Sequence, residues 1–199
     1  MKNTLLSFHY YQYTCPEVLT DNVLSIAQNS KWVQRAGYNK GISGDVLEHD
    51  ELRSWINTCL ADFKAKEFPT CRANIKATQI WLNKTQKMEM HHKHSHPNSV
   101  VSGILYLNSI EQGGNTVFYY PNPFWRLHNE GFLNLSGQDG TIELHHEVPA
   151  VKGNLILFPS TISHSVSPVR ANTARYSVAF NTFFEGTLGS IDMATYLKL

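Results

Sequence analysis

Between His94 and Asn108 the chain reads His-Ser-His-Pro-Asn-Ser-Val-Val-Ser-Gly-Ile-Leu-Tyr-Leu-Asn. Two histidines are followed by a short turn and then by the continuous apolar run Val100–Leu107, which reads as a buried strand. No other stretch constrains the fold as strongly. Two further apolar runs follow the same design. Asn154-Leu-Ile-Leu-Phe-Pro-Ser160 leads to His164, and Arg175-Tyr-Ser177 opens the run Val178–Asn181. Alternate residues of a strand share a face. His94 and His96 can therefore face one point in space, as two ligands of one metal must, with His164 as a third candidate. Arg175 and Ser177 alternate on one face in the same way.

The chain before these strands reads as helical. Thr4–Tyr13 is aromatic and β-prone, an expected early strand. Pro16 suits a first helical position beside Glu17, and Leu19, Val23, Ile26 and Ala27 form one stripe up to Gln28. Asn29–Asp45, with Gly37, Gly41 and Gly44, is expected to be loop. Leu52, Trp55, Ile56, Cys59, Leu60 and Phe63 recur at three and four residues, an amphipathic helix that stops before Pro69 and needs a sheet to pack on. After Pro69 come expected strands at Asn74–Leu82 and Thr116–Tyr120, a turn at Glu111–Gly114 and a return strand at Thr141–His145. Arg175–Phe184 is the last long strand, and the tail from Glu185 has no readable pattern. Pro121–Gly140 is expected to be an irregular flap; its Phe124, Trp125 and Phe132 either pack it onto the strands or line an entrance. Helices first and short strands after predict an α+β fold, a sandwich or barrel braced by N-terminal helices.

Composition narrows the function classes. A formal charge of +1 over 199 residues gives no general attraction to nucleic acid or anionic membrane. There is no apolar run of membrane-spanning length, and Met1-Lys-Asn-Thr-Leu-Leu leads into polar and aromatic residues rather than a signal peptide. Cys15, Cys59 and Cys71 are odd in number and widely spaced, which suits free thiols in a reducing cytosol. Five of the ten histidines are His91, His92, His94, His96 and His164, a local bias. An iron centre needs two or three side chains on one face of the metal, leaving positions open for a co-substrate and dioxygen. An arginine behind it can grip a carboxylate with two parallel hydrogen bonds.

Four segments in this order resemble the Fe(II)- and 2-oxoglutarate-dependent oxygenases, in their prolyl-hydroxylase-like branch and a group found in phages and marine bacteria. They are His94-x-His96-Pro with Ser102-Gly-x-x-Tyr-Leu-Asn108; Glu111-x-Gly-Gly-x-Thr-x-Phe118; Lys152–Ser160 with His164-x-Val-x-Pro168; and Arg175-x-Ser177 with Phe180-Asn181. The resemblance runs from about Asn74 to Phe184. It implies a cupin-like double-stranded β-helix (jelly roll), with a helical brace over 1–70, the jelly-roll core over 71–185 and a tail over 186–199 in one domain. It implies iron held by His94, His96 and His164. It implies 2-oxoglutarate gripped by Arg175 with the hydroxyls of Ser177 and Tyr106, and dioxygen as the third reactant, with succinate and carbon dioxide released. A peptidyl side chain such as proline, or a small molecule, would be the substrate, in the cytoplasm of a bacterial or phage-infected cell, with no nucleic-acid or membrane partner.

The pattern departs from the family at one point: His-x-Asp or His-x-Glu is usual where this chain has His94-Ser-His96. The register His92-Lys-His94 has the same spacing, but Pro97 and the Ser102-Gly103 strand follow His96 at the family distance. Two other readings stay open, a three-histidine cupin dioxygenase that does not use 2-oxoglutarate and a non-catalytic jelly-roll module. His128, His145 and His146 are expected to be surface residues without a ligand role. Taken singly, Tyr106 reads as core and Arg175 as a surface ion-pair partner.

Overall fold

A computed structural model describes residues 9–35, 39–42, 47–120 and 144–199. Their elements are β1 (Tyr11–Thr14), α1 (Glu17–Asn29), β2 (Trp32–Arg35), β3 (Asn39–Ile42), α2 (Asp50–Glu67), β4 (Asn74–Thr85), β5 (His91–His94), β6 (Val101–Tyr106) and β7 (Thr116–Tyr120). After these come β8 (Leu144–Val148), β9 (Asn154–Pro159), β10 (His164–Val166), β11 (Arg175–Glu185), β12 (Thr187–Leu188) and β13 (Leu197–Lys198). The expected flap, with Phe124, Trp125, His128 and Phe132, lies outside the described residues.

Two antiparallel sheets form the jelly roll. The larger has the order β1-β9-β6-β11-β4-β3-β2, and the smaller β5-β10-β7-β8. The double-stranded β-helix expected from the sequence is present, with α1 and α2 against the outer face of the larger sheet. Strand alternation sorts its side chains between two cores. Leu105, Leu155, Leu157, Val178 and Phe180 pack against Leu19, Val23, Leu52, Ile56 and Leu60 of the helices. Ile104, Tyr106, Ile156 and Phe158 point the other way, against Phe118 and Val148 of the smaller sheet. Each fully buried side chain of this size contributes about 1.5–3 kcal/mol relative to exposure, so a one-residue slip of any central strand would be heavily penalised.

Two local features hold this sorting in place. On β4, Ile80 and Leu82 face the helices, and so do Ile75 and Ala77, although even and odd positions should part. Opposite β11, Gln79 pairs with Asn181 but the next pair is Ala77 with Thr182. Thr78 is thus an extra residue, and this bulge resets the alternation. Gln79, Trp81, Asn83 and Thr85 are left on the inner face. On β6, Gly103 sits opposite Phe180 of β11. A β-carbon there would lie 2.1 Å from Phe180 Cζ, so only glycine lets this ring cross its neighbour strand.

The helices follow the sequence pattern closely. Pro16 is the residue before α1 rather than its first, with extended backbone and Glu17 in the first turn. The buried stripe is Leu19, Thr20, Val23 and Ala27; Ile26 falls at its margin and is 40% exposed. In α2, His49 Nδ1 accepts from the Leu52 N–H at 3.2 Å and caps the first turn. Three expectations are corrected. The early strand is Tyr11–Thr14 among the described residues, ending one residue beyond the expected Tyr13 and not including His9 or Tyr10; Thr4–Phe8 lie outside the described residues. Part of the expected loop 29–45 is the β2–β3 hairpin, paired from Trp32↔Ile42 to Arg35↔Asn39; two four-residue strands carry too little periodicity to read, and β4 supplies the partner backbone for β3. The tail contains the small β12–β13 pair. Among the described residues no helix is long and apolar enough to cross a membrane.

Candidate metal centre

The expected ligands come from three places. His94 ends β5, His164 opens β10, and the two face each other in the ladder. His96 lies just past β5, and its backbone N–H donates to the Ser160 carbonyl at 3.0 Å, beyond the end of β9. One ligand nitrogen from each of His94, His96 and His164 falls within 4.8 Å of the others. The ring centroids are 4.4 Å apart for His94–His164, 4.9 Å for His94–His96 and 5.1 Å for His96–His164. Phe158 packs edge-on against the His164 ring at 4.8 Å, and the Trp81 ring lies 6.2 Å from His96. His92, the alternative ligand, is exposed and outside this cluster.

Backbone carbonyls choose the tautomers of two of the three. His94 Nδ1 lies 2.8 Å from the His92 carbonyl, and His164 Nδ1 lies 3.0 Å from the Ile162 carbonyl. A carbonyl only accepts, so each Nδ1 carries its hydrogen and each Nε2 keeps a lone pair, the form a metal requires. The rings are also held neutral. Burial, followed by neighbouring positive charge, pushes His96 down to about 4, and burial pushes His164 down to about 3 despite the Ile162 hydrogen bond. His94 is lowered as well, mainly by burial. These are groups whose folded pKa lies below the unfolded value. Their contribution to stability is therefore complete above the ordinary histidine pKa and is lost as pH falls from about 6.5 toward 3–4. The metal-free protein should show a urea midpoint that holds steady from pH 8 to 7 and drops progressively at pH 6 and 5; a midpoint flat down to pH 5 would contradict the buried neutral triad.

Arg175, at the start of β11, is 2% exposed. Its Nη1 donates to Ser177 Oγ at 2.8 Å, while Nε and Nη2 have no hydrogen-bond partner among the described residues. Its Cζ lies 5.2 Å from the Tyr106 ring centroid. The fully buried Tyr106 hydroxyl donates to Thr116 Oγ1 at 2.7 Å. Arg175 is therefore the reverse of the surface ion-pair partner that arginine usually is, and Tyr106 supports it from the side. A buried guanidinium with two unspent donors is costly unless an anion meets it. The triad, Arg175 and Ser177 line one cavity of about 340 Å³. No Asp or Glu is among its described lining residues, so none of these balances the charge of Arg175 or of a divalent metal, and an acidic ligand would. Three imidazole lone pairs and an unpaired buried guanidinium fit a metal together with an acidic, carboxylate-bearing co-substrate.

Two residues of this region were named from the sequence but given no role of their own. His91 lines the same cavity, with its ring 4.3 Å from that of His94, and burial with neighbouring charges, Arg175 among them, lowers it to about 3. Two steps along β10, His164 to Val166, match three along β5, His94 to His91. That bulge turns both His91 and His94 inward, against simple alternation. Asn181 shares the face of Arg175 and Ser177, so alternation could have found it; its amide lies 3.4 Å from His96 Nδ1. His145 and His146 are exposed on β8, as expected.

A family model described as "Putative 2OG-Fe(II) oxygenase" matches residues 79–181, a little over half of the chain. No curated protein matches it by sequence. Among solved structures it is similar to HygX from Streptomyces hygroscopicus with nickel and 2-oxoglutarate bound (TM-score 0.64, 12% identity, 88% of this chain and 82% of that one). It is also similar to a Pseudomonas putida prolyl-4-hydroxylase (TM-score 0.56, 17% identity, 89% and 92%). A third is the viral collagen prolyl hydroxylase of Paramecium Bursaria Chlorella virus-1 in its 2-oxoglutarate complex (TM-score 0.52, 13% identity, 87% and 94%). At these identities the structures establish the shared fold.

Proposed function

The chain belongs to the family of 2OG-Fe(II) oxygenases, enzymes that use iron(II), 2-oxoglutarate and dioxygen, and on that premise we propose how its own residues divide the work. His94, His96 and His164 hold the iron. Arg175 takes the distal carboxylate of 2-oxoglutarate through Nε and Nη2, and the reaction hydroxylates a C–H bond of a peptide or a small molecule. The observation that carries this reading is the pair of unspent Arg175 donors in the cavity shared with the triad. When bound, iron and 2-oxoglutarate supply the oxidising power, with succinate and carbon dioxide as the products of the co-substrate.

The chain supplies binding, orientation and a dry site. Ser177 Oγ accepts from Arg175 Nη1, so its own hydrogen is free to donate to the co-substrate carboxylate. Tyr106, already committed to Thr116, fixes the guanidinium plane rather than binding the co-substrate directly. Ile104, Phe158 and Val166 form apolar wall between the polar groups, and the low local dielectric strengthens the Arg175–carboxylate attraction. The carboxylate clamp argues against a three-histidine dioxygenase without 2-oxoglutarate, which has no need of one. A prolyl hydroxylase among the similar folds supports a peptide substrate, and HygX with hygromycin B bound supports a small molecule.

The test is an anaerobic visible spectrum. Adding Fe(II) alone should give no band, and 2-oxoglutarate should then raise a weak charge-transfer band, because a keto acid chelating iron needs both in one site. Bound iron with no spectral response to 2-oxoglutarate would sink the reading.

A further inference from the structure

Behind His96 runs a line of short polar side chains. Ser99 Oγ lies 3.1 Å from the Val101 carbonyl and 2.7 Å from Ser160 Oγ. Ser160 Oγ lies 2.8 Å from Ser102 Oγ, which lies 3.0 Å from one end of the Asn181 amide. The other end of the amide is 3.4 Å from His96 Nδ1. Ser102 and Ser160 are buried, at 2% and 0% exposure.

Only one placement gives all five contacts in series a hydrogen. The Val101 carbonyl has none to give, so Ser99 must donate to it. Ser99 then accepts from the Thr182 N–H at 3.2 Å and from Ser160, which exhausts its capacity. Ser160 has spent its hydrogen on Ser99, so Ser102 must donate to Ser160. Ser102 is left with lone pairs, so Asn181 must turn its NH₂ toward it. As placed, the amide has Oδ1 toward Ser102 and Nδ2 toward His96; a half-turn exchanges nitrogen and oxygen without moving either contact. Asn181 Oδ1 then faces His96, and since an amide oxygen only accepts, the last hydrogen sits on His96 Nδ1. The opposite amide orientation leaves the Ser102–Ser160 contact without a hydrogen, and reversing the whole line leaves the Ser99–Val101 contact without one, although that carbonyl keeps its 2.8 Å bond from Thr182 Oγ1; only the arrangement above gives all five contacts a hydrogen.

We propose that Asn181 is a positioning residue for the iron site, an inference that rests on the ligand reading above. Its Oδ1, oriented by Ser102, Ser160 and Ser99, holds His96 as the Nδ1–H tautomer, so that Nε2 presents its lone pair beside His164 Nε2, 3.3 Å away. The histidine at position 96 makes this device necessary. A carboxylate offers oxygen lone pairs whichever way it is turned, whereas a neutral imidazole has one tautomer that binds metal through Nε2 and one that cannot. His94 and His164 have their tautomer set by backbone carbonyls; His96 has it set by a side-chain relay.

The experiment pairs two measurements. Long-range ¹H–¹⁵N spectra of the metal-free protein labelled at histidine report the tautomer directly: His96 should be Nδ1–H in the wild type and should lose that preference in Asn181→Leu. Cobalt(II) titration should then show affinity weakened about 10–100-fold in Asn181→Leu, with Asn181→Asp, which keeps an acceptor, within a few-fold of wild type. A wild-type His96 in the Nε2–H form overturns the proposal, and so does unchanged cobalt affinity in Asn181→Leu. If that variant does not fold, Ser102→Ala, which releases the amide to turn, should show a mixture of both tautomers; a pure wild-type tautomer there also overturns it. Wild-type protein that binds no cobalt sinks the ligand reading instead, and the spectra still decide the role of Asn181.

Discussion

His164→Ala is expected to bind iron(II) more than about 100-fold more weakly than wild type, beyond the loss typical of removing only a hydrogen-bond partner of a ligand, while the jelly roll stays folded. His164 is 3% exposed and lies against Phe158, so alanine loses that packing and the hydrogen bond from Nδ1 to Ile162. Each of these is worth on the order of 1 kcal/mol. Against them, the substitution removes a polar ring that burial holds neutral at a cost. The fold does not depend on β10 for its main core, since the apolar contacts under the helices come from β4, β6, β9 and β11. Equilibrium dialysis with iron(II), beside a thermal melt of the metal-free protein, separates the two effects. Iron affinity equal to wild type would remove His164 from the ligand set. Lost affinity together with a lost melting transition would show that the residue is structural first.

Arg175→Met should give a result of two signs. Truncating one member of a buried charged pair costs about 2–5 kcal/mol of binding, so 2-oxoglutarate affinity should fall roughly 30- to several-thousand-fold while iron binding is kept. In the absence of co-substrate the same variant should be as stable as wild type or more so. Methionine fills similar length without burying a guanidinium whose Nε and Nη2 lack partners, and replacing an uncompensated buried charge with a packed apolar side chain is often stabilising. A calorimetric titration with 2-oxoglutarate and a denaturant midpoint measure the two arms. Unchanged co-substrate affinity would reject the clamp. A large loss of stability would mean that Arg175 is held for its contacts with Tyr106 and Ser177 rather than for an absent anion.

Much of this was legible in the chain because short-range rules dominate where one face of an element is buried. The α2 stripe, Val100–Leu107, the Leu155–Phe158 run and the Arg175-x-Ser177 alternation each carry their own periodicity, and each became the element expected. The resemblance to the oxygenase family then implied that His94, His96 and His164 meet at one end of one barrel. Positions without periodicity were not legible. The β2–β3 hairpin is two four-residue strands, Trp-Val-Gln-Arg and Asn-Lys-Gly-Ile, too short to show alternation, and it forms because β4 offers β3 a backbone edge.

Patterns confined to single segments carried the two helical stripes, the apolar strands and the candidate histidines and arginine, and the family resemblance added the jelly roll and the ligand set. Tertiary structure alone decided three things. A bulge in β5 turns His91 into the cavity, because ladder registry against β10 sets where an extra residue goes. Arg175 is left with unspent donors, because burial is a property of the layers that close over it. His96 acquires a hydrogen-bond partner on β11, backed by a serine relay from β6, the end of β9 and the turn before β6, because hydrogen bonding depends on distances between strands that are far apart in the chain. A strand's own pattern says which face a side chain takes, and only the packed sheets say what it meets there.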